Sequence, residues 1–356
     1  MLKRLLKIIL ALLLVVIAII LIYAAYVFIS YHRLDDNLSL TVEGGGQGKI
    51  SASETLRIAS YNIGFGAYSS DYSFFMDGGT ESRARSAEAA SGNVSGAGGE
   101  ALSLSPDIML FQEVDVGSTR SWQVDEYDIL TGIFGSSYSR VFAENYDSPY
   151  LFYPITQPHG ASRSGIVTFS AYPITSALRR SLPIETGVMK LVDLDRCYSV
   201  SRIPVSNGRE LVVYNVHLSA YTSDGKIAET QLEMLFDDML AEYSAGNYAI
   251  AGGDFNKDLL GDSGSIFGVS GENYTWAQPI PENIIPDGLS VVAPYDPDAP
   301  IPSCRNADKP YGDDSFVLTV DGFVISGNVE LIYSNVHSTG FRWSDHDTVY
   351  MDIRLK

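Results

Sequence analysis

Six stretches of this 356-residue chain end an apolar run with polar residues able to bind a cation or move a proton. Asn62 follows Arg57-Ile58-Ala59-Ser60-Tyr61, and Glu113 follows Ile108-Met109-Leu110-Phe111-Gln112. His217 follows Val212-Val213-Tyr214-Asn215-Val216, while Asp254 and Asn256 close the run Ala249-Ile250-Ala251-Gly252-Gly253. Asp321 follows Leu318-Thr319-Val320, and Asp345-His346 follow Arg342-Trp343-Ser344. Carboxylate and amide oxygens suit hard divalent cations, and histidine carries a proton near neutral pH. Taken singly, each has an ordinary structural reading: a turn residue, a solvated strand end, a hydrogen-bonded histidine. Six in succession, each just past an apolar run, are hard to explain that way.

The runs themselves must position these side chains. Leu56 to Tyr61, Ile108 to Phe111, Ile166 to Phe169, Leu211 to Val216, Tyr248 to Ala251 and Val317 to Ile325 read as strands, rich in β-branched and aromatic residues. Between Lys226 and Tyr243, Leu232, Leu235, Phe236, Met239, Leu240 and Tyr243 recur at helical spacing and predict one apolar face. A weaker helix is predicted over Arg83 to Leu104, interrupted by Gly92, Gly96, Gly98 and Gly99. The proline-rich stretch from Pro279 to Pro310 gives no element. Nothing from Leu56 onward reads as a linker, so one α/β domain is expected. In such domains the strand ends along one sheet edge lie together and form the site.

The order Asn62, Gln112-Glu113, Asn215-x-His217, Gly253-Asp254-Phe255-Asn256, Asp321 and Ser344-Asp345-His346 resembles the endonuclease/exonuclease/phosphatase (deoxyribonuclease I-like) superfamily. The Gly-Asp-Phe-Asn and Ser-Asp-His motifs are specific as a pair and weak alone. The resemblance implies a four-layer α/β/β/α sandwich of two mixed sheets, an α+β type of α/β fold. It also implies metal-dependent hydrolysis of phosphodiesters. Such hydrolysis needs a hard cation, an oriented water and groups that stabilise the charge of the transition state. Asn62 and Glu113 are the expected oxygen ligands for Mg2+, with Mn2+ as a substitute, and Asp345 a further ligand or near neighbour. By the same resemblance Asp254 orients the attacking water and Asn256 contacts phosphate. His217 and His346 straddle the phosphate, and Asp321 hydrogen-bonds His346.

Other residues invite a role without earning one from sequence. Asn335-Val336-His337 repeats the pattern of Asn215 to His217 but reads as loop. His159 is expected in a turn, with a place in the pocket as the alternative; Arg120 and Arg163 are expected on the surface, with a phosphate contact as theirs. There is no H-E-x-x-H, G-x-S-x-G or P-loop pattern and no Cys/His cluster. Cys197 and Cys304 are too few for a disulfide framework; a single bridge and two buried thiols both remain open.

The first thirty residues differ from the rest. Lys3, Arg4 and Lys7 precede an uncharged run from Ile8 to Ser30, which as a helix reaches roughly 35 Å, enough to cross a bilayer core. The run exceeds the apolar core of a cleaved signal peptide and lacks its small-residue cleavage site. Residues 1–30 are therefore expected to form a cytoplasmic basic stub and membrane anchor, with the remainder outside. Residues 31–54, containing Gly44-Gly45-Gly46-Gln47-Gly48, are expected to be a flexible tether to a catalytic domain over 55–356.

The formal net charge is -19, and without the three bases of the anchor it becomes -22. A surface of that sign repels polyanions and offers no footprint for nucleic acid or anionic lipid. A lipid headgroup or small phosphodiester at the membrane is therefore the expected substrate, with a metal-dependent nuclease as the alternative. A non-catalytic binding descendant is the third reading, but none of the motif positions is missing.

Overall fold

The computed structural model describes residues 1–184, 190, 195–220, 226–269 and 277–356. Strands are numbered along the chain. One seven-stranded sheet runs in the order β15 (Val329–His337), β16 (Thr348–Leu355), β3 (Thr55–Asn62), β4 (Ile108–Asp115), β6 (Gly160–Ser170), β5 (Ser139–Leu151) and β2 (Val42–Glu43). The other runs β1 (Leu38–Ser39), β7 (Ser176–Ser181), β8 (Cys197–Pro204), β9 (Glu210–His217), β10 (Tyr248–Asp254), β14 (Asp321–Ser326) and β11 (Leu289–Val292). Both sheets are mixed. β3 pairs parallel to β4 and β9 parallel to β10, and every other pairing within them is antiparallel.

The sheets pack face to face over a core that includes Ile58, Leu110, Leu211, Val213, Ile250, Phe323 and Met351. Central strands are covered on both faces, which explains their nearly unbroken apolar runs. On the outer face of the second sheet, helix α4 (Lys226–Ser244) buries Leu232, Leu235, Phe236 and Met239 against Val212, Tyr214 and Ala249. On the outer face of the first, α2 (Ala87–Ser103) and α3 (Glu126–Phe134) pack Val94, Ala97, Leu130 and Phe134 on Met109, Phe111 and Phe169. The architecture is the expected α/β/β/α sandwich.

Two of the four glycines of α2, Gly96 and Gly98, are required by crowding neighbours, while Gly92 and Gly99 face open space. A Cβ at Gly96 would lie 2.4 Å from the Trp343 ring, and one at Gly98 would lie 2.8 Å from Ile133. Ser86 caps the helix by accepting a 3.1 Å hydrogen bond from the Ala89 amide.

Three expectations are corrected. Residues 31–54 are not a free tether: β1 pairs with β7 and β2 with β5, Arg33 donates to the Leu182 carbonyl at 2.9 Å, and Ile50 is wholly buried. The segment is edge strand for both sheets, a role that two-residue strands do not announce in sequence. Asn335-Val336-His337 ends a nine-residue strand, β15, rather than a loop; His337 sits at the sheet edge, 3.2 Å from Glu100 of α2 and away from the cleft. The run Val317 to Ile325 breaks after Leu318 into β13 (Val317–Leu318) and β14. β13 pairs with β12 (Cys304–Arg305), so part of the proline-rich segment returns to the site.

Leu2–Ser30 is a single helix, α1, long and apolar enough to cross a membrane. Cys197 and Cys304 are buried, unpaired thiols.

Candidate active site

Strand register assembles the centre of the site. Asp254, at the end of β10, is the parallel partner of His217 on β9 and the antiparallel partner of Asp321 on β14. Gly253 is required just before it: its φ is +150° and a Cβ would fall 2.0 Å from the Val216 carbonyl oxygen. The first sheet contributes Asn62 from the end of β3 and Glu113 from an irregularity two residues before the end of β4.

A buried polar contact locks the two sheets at that edge. Gln112 Nε2 donates to Asn215 Oδ1 at 2.8 Å, and Asn215 Nδ2 donates to the carbonyls of Phe111 and Val167 at 3.2 and 3.0 Å. This is why Gln112 precedes Glu113 and Asn215 stands two before His217: each ties down the strand end that presents the functional group. Glu113 itself lies in a register shift between Phe111 and Val114, with φ at +55°. Such a conformation costs a non-glycine residue about 1 kcal/mol or more, and it turns the carboxylate out of the ladder.

Asp254 is the hub. Its Oδ1 accepts from the Asn256 amide at 2.9 Å and its Oδ2 accepts from Asn62 Nδ2 at 3.0 Å. The Nε2 atoms of His217 and His346 lie 3.6 and 3.9 Å from that same Oδ2. Asn62 Nδ2 also donates to Glu113 Oε1 at 3.3 Å, while its Oδ1 accepts from the Gly64 amide at 3.0 Å. Asn62 therefore turns its nitrogen toward the two carboxylates and its oxygen toward Gly64, an orientation that differs from the oxygen-ligand role expected of it from sequence.

His346 is oriented from behind. Its Nδ1 lies 2.8 Å from Asp321 Oδ2, which also accepts from Ser303 Oγ at 2.7 Å. The strap 303–305 holds the motif in place: Arg305 N donates to the Asp345 carbonyl at 2.9 Å and Asp347 N to the Ser303 carbonyl at 2.8 Å. Ser344 Oγ donates to the Asn62 carbonyl at 2.8 Å, joining the loop to β3.

Electrostatics divide the histidines. Burial and neighbouring positive groups hold His217 well below its ordinary value, so it is neutral. Burial opposes charge on His346 most strongly of any one influence, but Asp321 and Cys304 together outweigh it and raise that imidazole well above its ordinary value. Burial lifts the Asp254 carboxyl to about 7 and the Asp345 carboxyl to about 6, with Glu113 adding to the latter.

The residues fit a hard divalent cation. Glu113 and Asp345 both border the cleft and offer oxygen donors only, and Asp345 bears the burial cost of a carboxylate. Among the described residues, Asp254, Asp321 and His346 also bring possible ligand atoms within 4.8 Å of one another. The Asp321–His346 hydrogen bond and the pairing of Asp254 with Asp321 across the strands already bring these three together, whereas Glu113 and Asp345 have no such contact with each other and are the better candidates for cation donors.

The cleft has two adjoining lobes of about 130 and 120 Å³, both open to solvent. One holds Asp254, Asn256, Asp345 and His346; Glu113, His217, Arg196, Tyr68 and Phe74 border both. The second lobe is walled by Phe65, Met76, Tyr146, Arg120 and His159. Its lining also includes Asn145 and Ser164, whose Nδ2 and Oγ atoms are buried without a hydrogen-bond partner.

Arg120 is not a surface residue. It is 7% exposed, pairs with Asp115 through two hydrogen bonds of 2.9 and 2.8 Å, and stacks on Phe65 at 4.0 Å. His159 is a buried pocket residue whose Nδ1 lies 3.0 Å from the Ser82 carbonyl oxygen. Arg163 is on the surface, paired with Glu144. Sequence reasoning missed Arg196, Ser303, Cys304, Asn145 and Ser164. They come from loops or strand positions that no motif marks.

The sequence model of the Endonuclease/Exonuclease/phosphatase family matches residues 59–346, about four fifths of the chain. Similar solved structures include an endonuclease/exonuclease/phosphatase from Beutenbergia cavernae, 17% identical, covering 85% of this chain and 72% of that one at a TM-score of 0.51. Another is ANGEL2, a 2',3'-cyclic phosphatase in complex with adenosine-2',3'-vanadate, 17% identical over 89% of this chain and 99% of its own at a TM-score of 0.52. An endonuclease/exonuclease/phosphatase from Bacteroides vulgatus is 12% identical over 85% of this chain and 100% of its own, at 0.50. Among curated proteins, none matches the chain in sequence. The fold, the motif order and the family match together place this chain in the Endonuclease/Exonuclease/phosphatase family, whose members hydrolyse phosphate esters.

Proposed function

We propose that the chain is a divalent-metal-dependent phosphodiesterase, anchored by α1 with its catalytic domain outside the membrane, acting on a lipid headgroup or small phosphodiester. The observation that carries the reading is convergence on Asp254 Oδ2: Asn62 at 3.0 Å, His217 at 3.6 Å and His346 at 3.9 Å. Asp254 receives and orients the attacking water. His346, charged through Asp321, donates to a phosphate oxygen, and neutral His217 contacts the phosphate from the other side. Asn256 holds a further oxygen. A bound cation, held by Glu113 and Asp345 with Asn62 beside them, supplies charge neutralisation at the phosphate; Mg2+ suits these donors, and Mn2+ substitutes.

The ectodomain charge of -22 supports a small or lipid substrate over nucleic acid, whose binding draws on clustered Lys and Arg. The basic flank of Lys3, Arg4 and Lys7 supports a cytoplasmic N-terminus. The test is turnover of nucleic acids, phospholipids and small diesters by the purified chain, with Mg2+ and with EDTA. Metal-dependent cleavage of a lipid or small diester ahead of DNA is expected. Efficient plasmid nicking with no diester turnover would make the chain a nuclease.

A further inference from the structure

One uncharged segment joins the outer end of α1 to the rim of the aromatic lobe. From Ser148 to Gly160 no Asp, Glu, Lys or Arg occurs, in a chain of formal charge -19. Within it Phe152, Tyr153 and Ile155 are 55%, 69% and 85% exposed. Large apolar side chains clustered in this way mark a contact surface rather than ordinary scatter.

At one end the segment is bonded to the helix. Tyr23 Oη donates to the Tyr150 carbonyl at 3.2 Å and accepts from the Phe152 amide at 3.1 Å; Tyr26 Oη accepts from the Tyr150 amide at 3.0 Å. The Tyr23 and Phe152 rings meet edge-on at 5.3 Å. At the other end Tyr153 packs edge-on against Phe75 at 5.6 Å, and Phe75 against Phe74 at 4.9 Å. Phe74 and the half-exposed Met76 wall the lobe.

The helix sets the depth. A hydrocarbon core of about 30 Å beginning after Lys7 is crossed in about 20 residues, which ends near Val27. Tyr23 and Tyr26 then lie at the outer boundary, where interfacial tyrosines collect. Backbone bonded directly to their hydroxyls lies at the same depth.

We propose that the loop from Phe152 to Ile155 is seated in the outer interface of the bilayer that α1 crosses. It holds the mouth of the cleft against the membrane, and the substrate is a phosphodiester resident in that bilayer. This rests on the reading of the chain as a membrane-anchored phosphodiesterase. The seating is apolar, because the segment from Ser148 to Gly160 carries no Lys or Arg to meet anionic lipid, and so it is insensitive to salt.

The test uses the full chain in phosphatidylcholine vesicles. A tryptophan is placed at the loop, Ile155→Trp, or at the far edge strand, Leu331→Trp, and read above the wild-type signal. Lipid brominated near the headgroup is expected to quench the tryptophan at 155 and not that at 331, while aqueous iodide does the reverse. Iodide quenching at both positions with no bromolipid effect would overturn the seating. The double variant Phe152→Ser, Ile155→Ser is then assayed on vesicles of phosphatidylcholine, phosphatidylglycerol and sphingomyelin, and on soluble bis(p-nitrophenyl) phosphate. Lipid turnover is expected to fall about tenfold or more, the scale of losing two buried apolar side chains, with soluble turnover unchanged. Equal loss on both, or wild-type turnover of the soluble ester and of no vesicle lipid, overturns the bilayer substrate. If wild type turns over neither, the phosphodiesterase reading fails, and the quenching result still decides the seating.

Discussion

Nδ1 of His346 and Oδ2 of Asp321 are 2.8 Å apart, both residues buried, on segments brought together by the strap at Ser303. The contact fixes which imidazole nitrogen faces the substrate: Nε2 looks toward Asp254, as does Nε2 of His217 from the neighbouring strand. Two histidines, one charged and one neutral, therefore address the same point from two sides.

If both histidines act in one transition state, their losses do not add. His217→Ala and His346→Ala should each lower kcat by about 10²–10⁴, the usual scale for a positioned acid–base group. The double variant should be little worse than either. His337→Ala should be nearly silent, since His337 meets Glu100 at the sheet edge. Full additivity of the first pair would mean that they act in separate steps.

Glu113 should matter to turnover and not to stability. EDTA is expected to abolish activity, and Mg2+ or Mn2+ to restore it. Glu113→Ala should depress kcat by orders of magnitude while the melting temperature holds or rises, because one of several clustered carboxylates is lost. Undiminished activity in a chelated sample would remove the metal from the mechanism.

The segment between anchor and domain should be structural. A chain beginning at Tyr31 is expected to fold with near-native stability. One beginning at Ser53 lacks β1, β2 and the buried Ile50, and should be destabilised by about 3 kcal/mol or more. Identical denaturation midpoints for the two would show that 31–52 is only a tether.

His159 should make the domain acid-sensitive. Burial depresses its pKa from the ordinary 6.5 to about 4, so between those values the unfolded chain binds more protons than the folded one. Its stabilising contribution is complete above about pH 6.5 and is lost progressively down to about pH 4, by up to about 3 kcal/mol. Urea unfolding of His159→Gln from pH 7 to 4 should show a shallower loss of stability than wild type. Parallel curves would show that His159 does not titrate in this way.

The centre of the candidate site was legible because Asn62, His217 and Asp254 each end a buried, apolar strand and Glu113 follows the apolar run of another. Asp345-His346 was marked by its motif rather than by a strand. Arg120 escaped because its burial depends on Asp115 and Phe65, contacts that local pattern does not encode. The edge strands at 38–39 and 42–43 escaped because two residues carry no periodicity. His337 was misjudged because β15 exposes Glu330, Leu331, Ile332 and Tyr333 in succession, without the alternation of a half-buried strand. Gly96 of α2 lowered its helical propensity for a reason, the Trp343 ring, that lies far along the chain.

The central claim is that Asp254 orients the nucleophilic water in a metal-assisted phosphodiester hydrolysis. Its most direct measurement is kcat/KM of the full chain on a soluble diester with saturating Mg2+, wild type against Asp254→Asn. The amide keeps the shape and the Asn256 contact but not the carboxylate. A loss of about 10²–10⁴ with an unchanged or raised melting temperature is expected. Wild-type turnover by the folded Asn variant would contradict it.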